Sequence, residues 1–123
     1  MDRGLAGKVA LVTGGSRGIG LTTTLAELEQ LKVPATSVSA NLSIGHGCRT
    51  ALDHCTRLLG PPDILINNAG ATSNTPISDL LTDTIDDARN LKLSGYRRLA
   101  QLTIPTCASK AGARRQQRRR CWR

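Results

Sequence analysis

Apolar residues in this chain fall into two kinds of spacing. Val9-Ala10-Leu11-Val12 and Ile64-Leu65-Ile66 are short unbroken runs with β-branched members, the pattern of strands buried in a parallel sheet. They predict strands over residues 8–13 and 63–67. Leu21, Leu25, Leu28 and Leu31 recur at helical spacing, with Glu27, Glu29, Gln30 and Lys32 on other faces, and Pro34 is the expected stop. Thr36 and Val38 fit a half-buried pleat and predict a strand over residues 35–40. Ala51, Leu52, Cys55, Leu58 and Leu59 mark a helix over 48–59, broken by Gly60-Pro61-Pro62. A long helix is expected from about 84 to 103, with its stripe on Ile85, Ala88, Lys92, Tyr96, Leu99 and Thr103, and with Pro105 as its end. A lysine inside such a stripe is unusual.

Strands alternating with helices give an α/β fold. The 123 residues make one small domain at most. With no Phe, one Tyr and one Trp, its core must be built from Leu, Ile, Val and Ala, so it is thin and the fold marginally stable. The net charge is +8, but six arginines between Arg114 and Arg123 leave only +2 for the rest. That basic end has almost no apolar residues and is expected to be disordered. The four cysteines form no C-x-x-C pair and His46 and His54 are eight apart, so no metal site is expected. His46 and His54 are expected at the surface and Cys55 in the core. No apolar stretch approaches a membrane span or a signal sequence, which leaves a cytoplasmic location as the default.

The candidate chemistry lies between the first strand and the first helix. Gly14, Gly18 and Gly20 stand in a strand–turn–helix context, where glycines permit a tight turn and let backbone N–H groups approach a phosphate at the helix N-terminus. A residue reading the ribose is expected about 20 positions past such a turn, and counting alone nominates Asn41.

The spacing T-G-x-x-x-G-x-G, followed by Asn67-Asn68-Ala69-Gly70, resembles the two signatures of the short-chain dehydrogenase/reductase family, with 3-oxoacyl reductases as the similar members. The resemblance implies a partial Rossmann-type, doubly wound parallel sheet with flanking helices. It places an abbreviated NAD(P)-binding domain at 1–112 and an Arg-rich tail at 113–123. It implies cofactor contacts from Gly14, Ser16, Arg17, Gly18, Ile19, Gly20, Asn68, Ala69 and Gly70. Arg17, just before Gly18, is the placement that favours NADP(H) over NAD(H), since a guanidinium can grip a 2′-phosphate. In the family's register, residues 25–43 resemble a later helix and the third strand, whose end at Asn41 and Leu42 meets the adenine. One helix-and-strand unit would then be missing between Gly20 and Thr24. The alternative is a compact two-layer protein in which residues 35–40 form strand two.

The family's catalytic groups are a Ser, a Tyr-x-x-x-Lys pair and an Asn. Here Ala108-Ser109-Lys110-Ala111-Gly112 resembles the surroundings of the lysine. That aligns Lys110 with it, puts Thr106 in the tyrosine's place and Lys92 in the asparagine's, and leaves no strand for the serine. An aliphatic hydroxyl is a far weaker acid than a phenol, so Thr106 cannot supply the proton for carbonyl reduction. The expectation is an oxidoreductase-like chain, truncated or internally deleted, with impaired or no activity. Whether it is an enzyme stays open. A nicotinamide cofactor, a small carbonyl substrate and a homo-oligomer are the partners the family implies. The alternative from another class is a non-catalytic protein holding a polyanion or nucleic acid through its arginines; nucleic acid is the lesser expectation, and no membrane is expected.

Overall fold

In a computed structural model the described residues are 4–15, 20–70 and 75–113, with backbone alone for 20–24 and 107–113. The elements follow in the order β1 (Ala10–Val12), α1 (Gly20–Gln30), α2 (Gly45–Leu59), β2 (Ile64–Ile66), a 3₁₀ turn (Ile77–Asp79), α3 (Thr82–Arg89), a π-helical segment (Asn90–Gly95) and α4 (Tyr96–Ala113).

Both unbroken apolar runs form strands, and they pair in parallel with Ala10 opposite Ile64, Leu11 opposite Leu65 and Val12 opposite Ile66. Asp63 sets the register at the strand entrance. Its Oδ2 accepts the N–H of Val9 at 3.0 Å, and its own N–H donates to the Val9 carbonyl at 2.8 Å. Lys8 Nζ stands 3.9 Å from its other oxygen. The strands are less buried than their composition suggests: Val12 is 56% and Ile66 48% exposed. These two share one face of the ribbon, and a two-stranded sheet gives helices little area to cover.

The expected strand over residues 35–40 does not form; the segment is irregular and the sheet among the described residues has two strands. In the order 3-2-1-4-5-6 of doubly wound sheets, a third strand pairs with a second. Here β1 pairs with β2, and residues 35–40 have no ladder to join. Thr36 instead bonds His54 Nε2 at 2.9 Å, which draws His54 half inside, against the expectation of a surface residue.

Helix α1 ends before Pro34 acts. The Val33 N–H donates to Leu28 O at 2.8 Å and the Lys32 N–H to Glu29 O at 2.9 Å, with Lys32 at φ 56°. This is the Schellman closure, built on a lysine where glycine is usual. Helix α2 begins three residues earlier than expected. Gly47 permits this, because a Cβ there would stand 1.8 Å from the Asn41 carbonyl oxygen. The long helical segment expected over 84–103 forms without interruption as α3, the π segment and α4, but Pro105 lies inside α4 rather than ending it. Hydroxyls of Thr103 and Thr106 turn back on the Leu99 and Thr103 carbonyls at 2.7 Å each around that proline.

The core sits where α2 packs on α4. Its buried members are Cys48, Ala51, Leu52 and Cys55 of α2 and Leu99 and Thr103 of α4, with Ala69 and Thr13 at the sheet end. Among the described residues it is small and holds no buried aromatic side chain. No described helix is long and apolar enough to cross a membrane.

Candidate functional site

The carboxyl ends of β1 and β2 bring the two signature turns into contact. Thr13, 5% exposed, closes the junction. Its N–H donates to the Ile66 carbonyl at 3.0 Å, and its Oγ1 accepts the N–H groups of Asn68 at 3.0 Å and Ala69 at 2.9 Å. Gly14 follows at φ 89°, and a Cβ there would lie 2.8 Å from the Asn68 carbonyl oxygen and 2.9 Å from the Ala69 backbone. Glycine is thus required twice at this point, by the dihedral angle and by the neighbour. Gly20 opens α1, whose first N–H groups have no intrahelical partner and form a favourable place for an anion. Ser16, Arg17, Gly18 and Ile19 lie outside the described residues, as does the segment 114–123 of the Arg-rich tail.

A second layer holds the Asn67–Gly70 turn from the helix side. The phenol of Tyr96 donates to the Ala69 carbonyl, and Asn67 Nδ2 donates to the Tyr96 carbonyl at 3.4 Å. Asn67 Oδ1 is buried and has no partner among the described residues. Lys92, exposed as a residue, lays its chain over Gly70: a Cβ on Gly70 would stand 3.0 Å from Lys92 Cε and 3.7 Å from Nζ. The lysine is therefore at the turn, as its place in the helical stripe suggests, but not buried there.

Asn41 and Leu42 are held by other contacts. Asn41 Oδ1 accepts the Ser43 N–H at 3.0 Å, and the Leu42 carbonyl accepts the Cys48 thiol at 3.3 Å. Arg98 Nη1 donates to the Ser43 carbonyl at 2.7 Å, so this loop is pinned between α2 and α4. Burial pushes the Cys48 thiol above its ordinary pKa, opposed by the Arg98 guanidinium.

Thr106 and Lys110 do not join the turns. Both continue α4, ten and fourteen residues beyond Tyr96, which is about 15 and 21 Å along a helix axis. Because the chain passes through Pro105 without leaving the helix, it does not return these positions to the carboxyl edge of the sheet. Thr13 and Tyr96 escaped the sequence analysis as site residues. The signal available for Thr13 was its place directly before Gly14, and for Tyr96 its place in the helical stripe one turn after Lys92.

A family model described as short chain dehydrogenase matches residues 21–114. L-xylulose reductase of Mesocricetus auratus is 32% identical over 83% of this chain and 48% of its own length. A 3-oxoacyl-[acyl-carrier-protein] reductase of Pseudomonas aeruginosa is 32% identical over 81% of this chain and 50% of its own. Among solved structures, a short chain dehydrogenase from Burkholderia cenocepacia in complex with NADP superposes with a TM-score of 0.73 at 30% identity, covering 82% of this chain and 51% of that one. The chain spans about half the length of the curated relatives it matches.

Proposed function

Because this chain belongs to the short-chain dehydrogenase family, as an α/β protein with a Rossmann-like parallel sheet, we propose that it binds NADP(H) and has little or no capacity to reduce carbonyl compounds. The observation that supports binding most directly is the interlock of Gly14 with Asn68 and Ala69 under the Thr13 hydroxyl. It fixes Thr13 and Gly14, where the chain leaves β1 at the carboxyl edge of the sheet, the edge at which open α/β sheets take their ligands. The residues fit the cofactor: Gly14 and Gly20 would hold the pyrophosphate against the N-terminus of α1, and Arg17 would meet the 2′-phosphate. Two supports favour the phosphorylated form, the place of Arg17 just before Gly18 and the NADP complex of the Burkholderia relative.

When bound, a nicotinamide supplies hydride; the chain's own task would be to hold the substrate and donate a proton. Thr106, aligned with the family's tyrosine, gives its hydroxyl to the Thr103 carbonyl and stands a long way down α4 from the turn. Lys110 continues along the same helix. The proposal is therefore a nucleotide-binding member with impaired chemistry, acting on a small carbonyl substrate if at all. The unladdered segment 35–40 supports the loss of a helix-and-strand unit between Gly20 and Thr24. Titration of the purified chain into NADPH, followed by nicotinamide fluorescence, tests the reading. Enhancement that saturates and is competed by NADP⁺ is expected; an unchanged spectrum overturns it.

A further inference from the structure

We propose that Lys92 biases this crevice toward the reduced, uncharged nicotinamide and against the oxidised, cationic one, an inference that rests on the NADP(H)-binding reading above. Lys92 stands in the π segment Asn90–Gly95, a local departure from α geometry of a kind often found at functional sites. Its Cε and Nζ lie 3.0 and 3.7 Å from where a Cβ on Gly70 would be, an approach that glycine leaves room for. Among the described residues it pairs with no carboxylate, since the ion pairs there are Lys8–Asp63 and Arg89–Asp86. The ammonium charge is not neutralised locally.

Its place in the fold gives that charge a target. Gly70 lies just past the carboxyl end of β2, and β2 pairs directly with β1. In the doubly wound order 3-2-1-4-5-6, the pyrophosphate sits at the turn after strand one, and strand four opens the second mononucleotide half. The strand bearing Asn67–Gly70 takes that fourth position, which puts Lys92 on the half that receives the nicotinamide. NADPH and NADP⁺ carry the same phosphates and differ in ring charge, so their affinity ratio isolates the effect. Lys92 is exposed, and water and salt screen it, so the bias is about three- to tenfold at low ionic strength.

The test is the dissociation constants of NADPH and NADP⁺, measured calorimetrically for the wild-type chain, Lys92→Gln and Lys92→Arg at low salt and at high salt. The expected result is that Lys92→Gln shifts the ratio toward NADP⁺ by about three- to tenfold, Lys92→Arg keeps the wild-type ratio, and high salt erases the difference. Both nucleotides binding with a ratio unchanged in Lys92→Gln overturns this inference and leaves the binding reading standing. A Lys92→Arg ratio equal to that of Lys92→Gln overturns the charge assignment. Binding of neither nucleotide by the wild-type chain overturns the underlying reading and this inference with it.

Discussion

Thr13 and Ala69, fifty-six residues apart in the chain, are joined by a 2.9 Å hydrogen bond in which the Ala69 N–H donates to the Thr13 hydroxyl oxygen. The neighbouring Asn68 N–H uses the same oxygen. One side chain therefore satisfies two amides of the second signature turn and fixes it on the first. Thr13→Val keeps the shape and removes the acceptor, leaving both amides without it. Ala69 is buried and Asn68 exposed, so only the Ala69 amide is left as a buried unsatisfied donor, which costs about 1–3 kcal/mol, while the Asn68 amide can turn to water. The expected loss is about 2 kcal/mol in urea unfolding followed by circular dichroism. Thr13→Ser keeps the oxygen and loses a methyl group, so it should cost less than about 1.5 kcal/mol. Equal losses for the two variants would mean that the hydroxyl does not hold the turns together.

That junction marks the limit of what the sequence discloses. The strands of β1 and β2 were legible because an unbroken run such as Ile64-Leu65-Ile66 has few other uses, and the glycine turn because three glycines stood between strand and helix. The family resemblance supplied the role of the Asn67–Gly70 turn. Contacts across long stretches of chain were not legible: nothing beside Tyr96 announces that its phenol reaches the Ala69 carbonyl. Thr36 and Val38 alternate as a strand would, yet a strand also needs a partner, and among the described residues no strand pairs with 35–40. Pro105 failed as a stop signal because local propensity yields to tertiary packing when Leu99 and Thr103 are buried just before it.

Lys32 closes α1 from the left-handed region at φ 56°, a conformation that costs a residue with a Cβ about 1–2 kcal/mol. Its N–H and that of Val33 complete the Schellman bonds to Glu29 and Leu28, so the backbone shape is set by the closure. Lys32→Gly should relieve the strain and keep both bonds. A gain of about 1 kcal/mol is expected, read as a higher urea midpoint with an unchanged slope. A loss of stability would show that the lysine stem contributes more than its dihedral angle costs.

Cys48 gives the fold a weakness at alkaline pH. A thiol is charged only when it loses its proton, and burial disfavours that form, so the folded pKa lies above the ordinary value of 9.0. Below the unfolded pKa both states are neutral and the stability is intact. As pH rises past about 9 the unfolded chain ionises first, and stability falls until the folded-state pKa is passed. Unfolding midpoints between pH 7 and 10 should decline more steeply for the wild type than for Cys48→Ala. Parallel profiles would remove Cys48 as a cause.

Thr106→Tyr separates the resemblance from the geometry. By sequence alone it places a tyrosine four residues before Lys110, restoring the family's catalytic spacing, and it should recover activity if spacing were enough. In the structure both positions lie on α4, beyond the buried Leu99 and Thr103 and about 15–21 Å along the axis from Tyr96, whose hydroxyl touches the turn. A phenol at that distance cannot reach a substrate held beside Gly70, because general acid catalysis needs heavy atoms within about 3 Å. The expected outcome is no gain: NADPH oxidation with a panel of small carbonyl compounds stays at background in both the wild type and the variant. A rise of a hundredfold, the lower end of what a placed general acid contributes, would mean that α4 does not hold these residues away from the sheet edge.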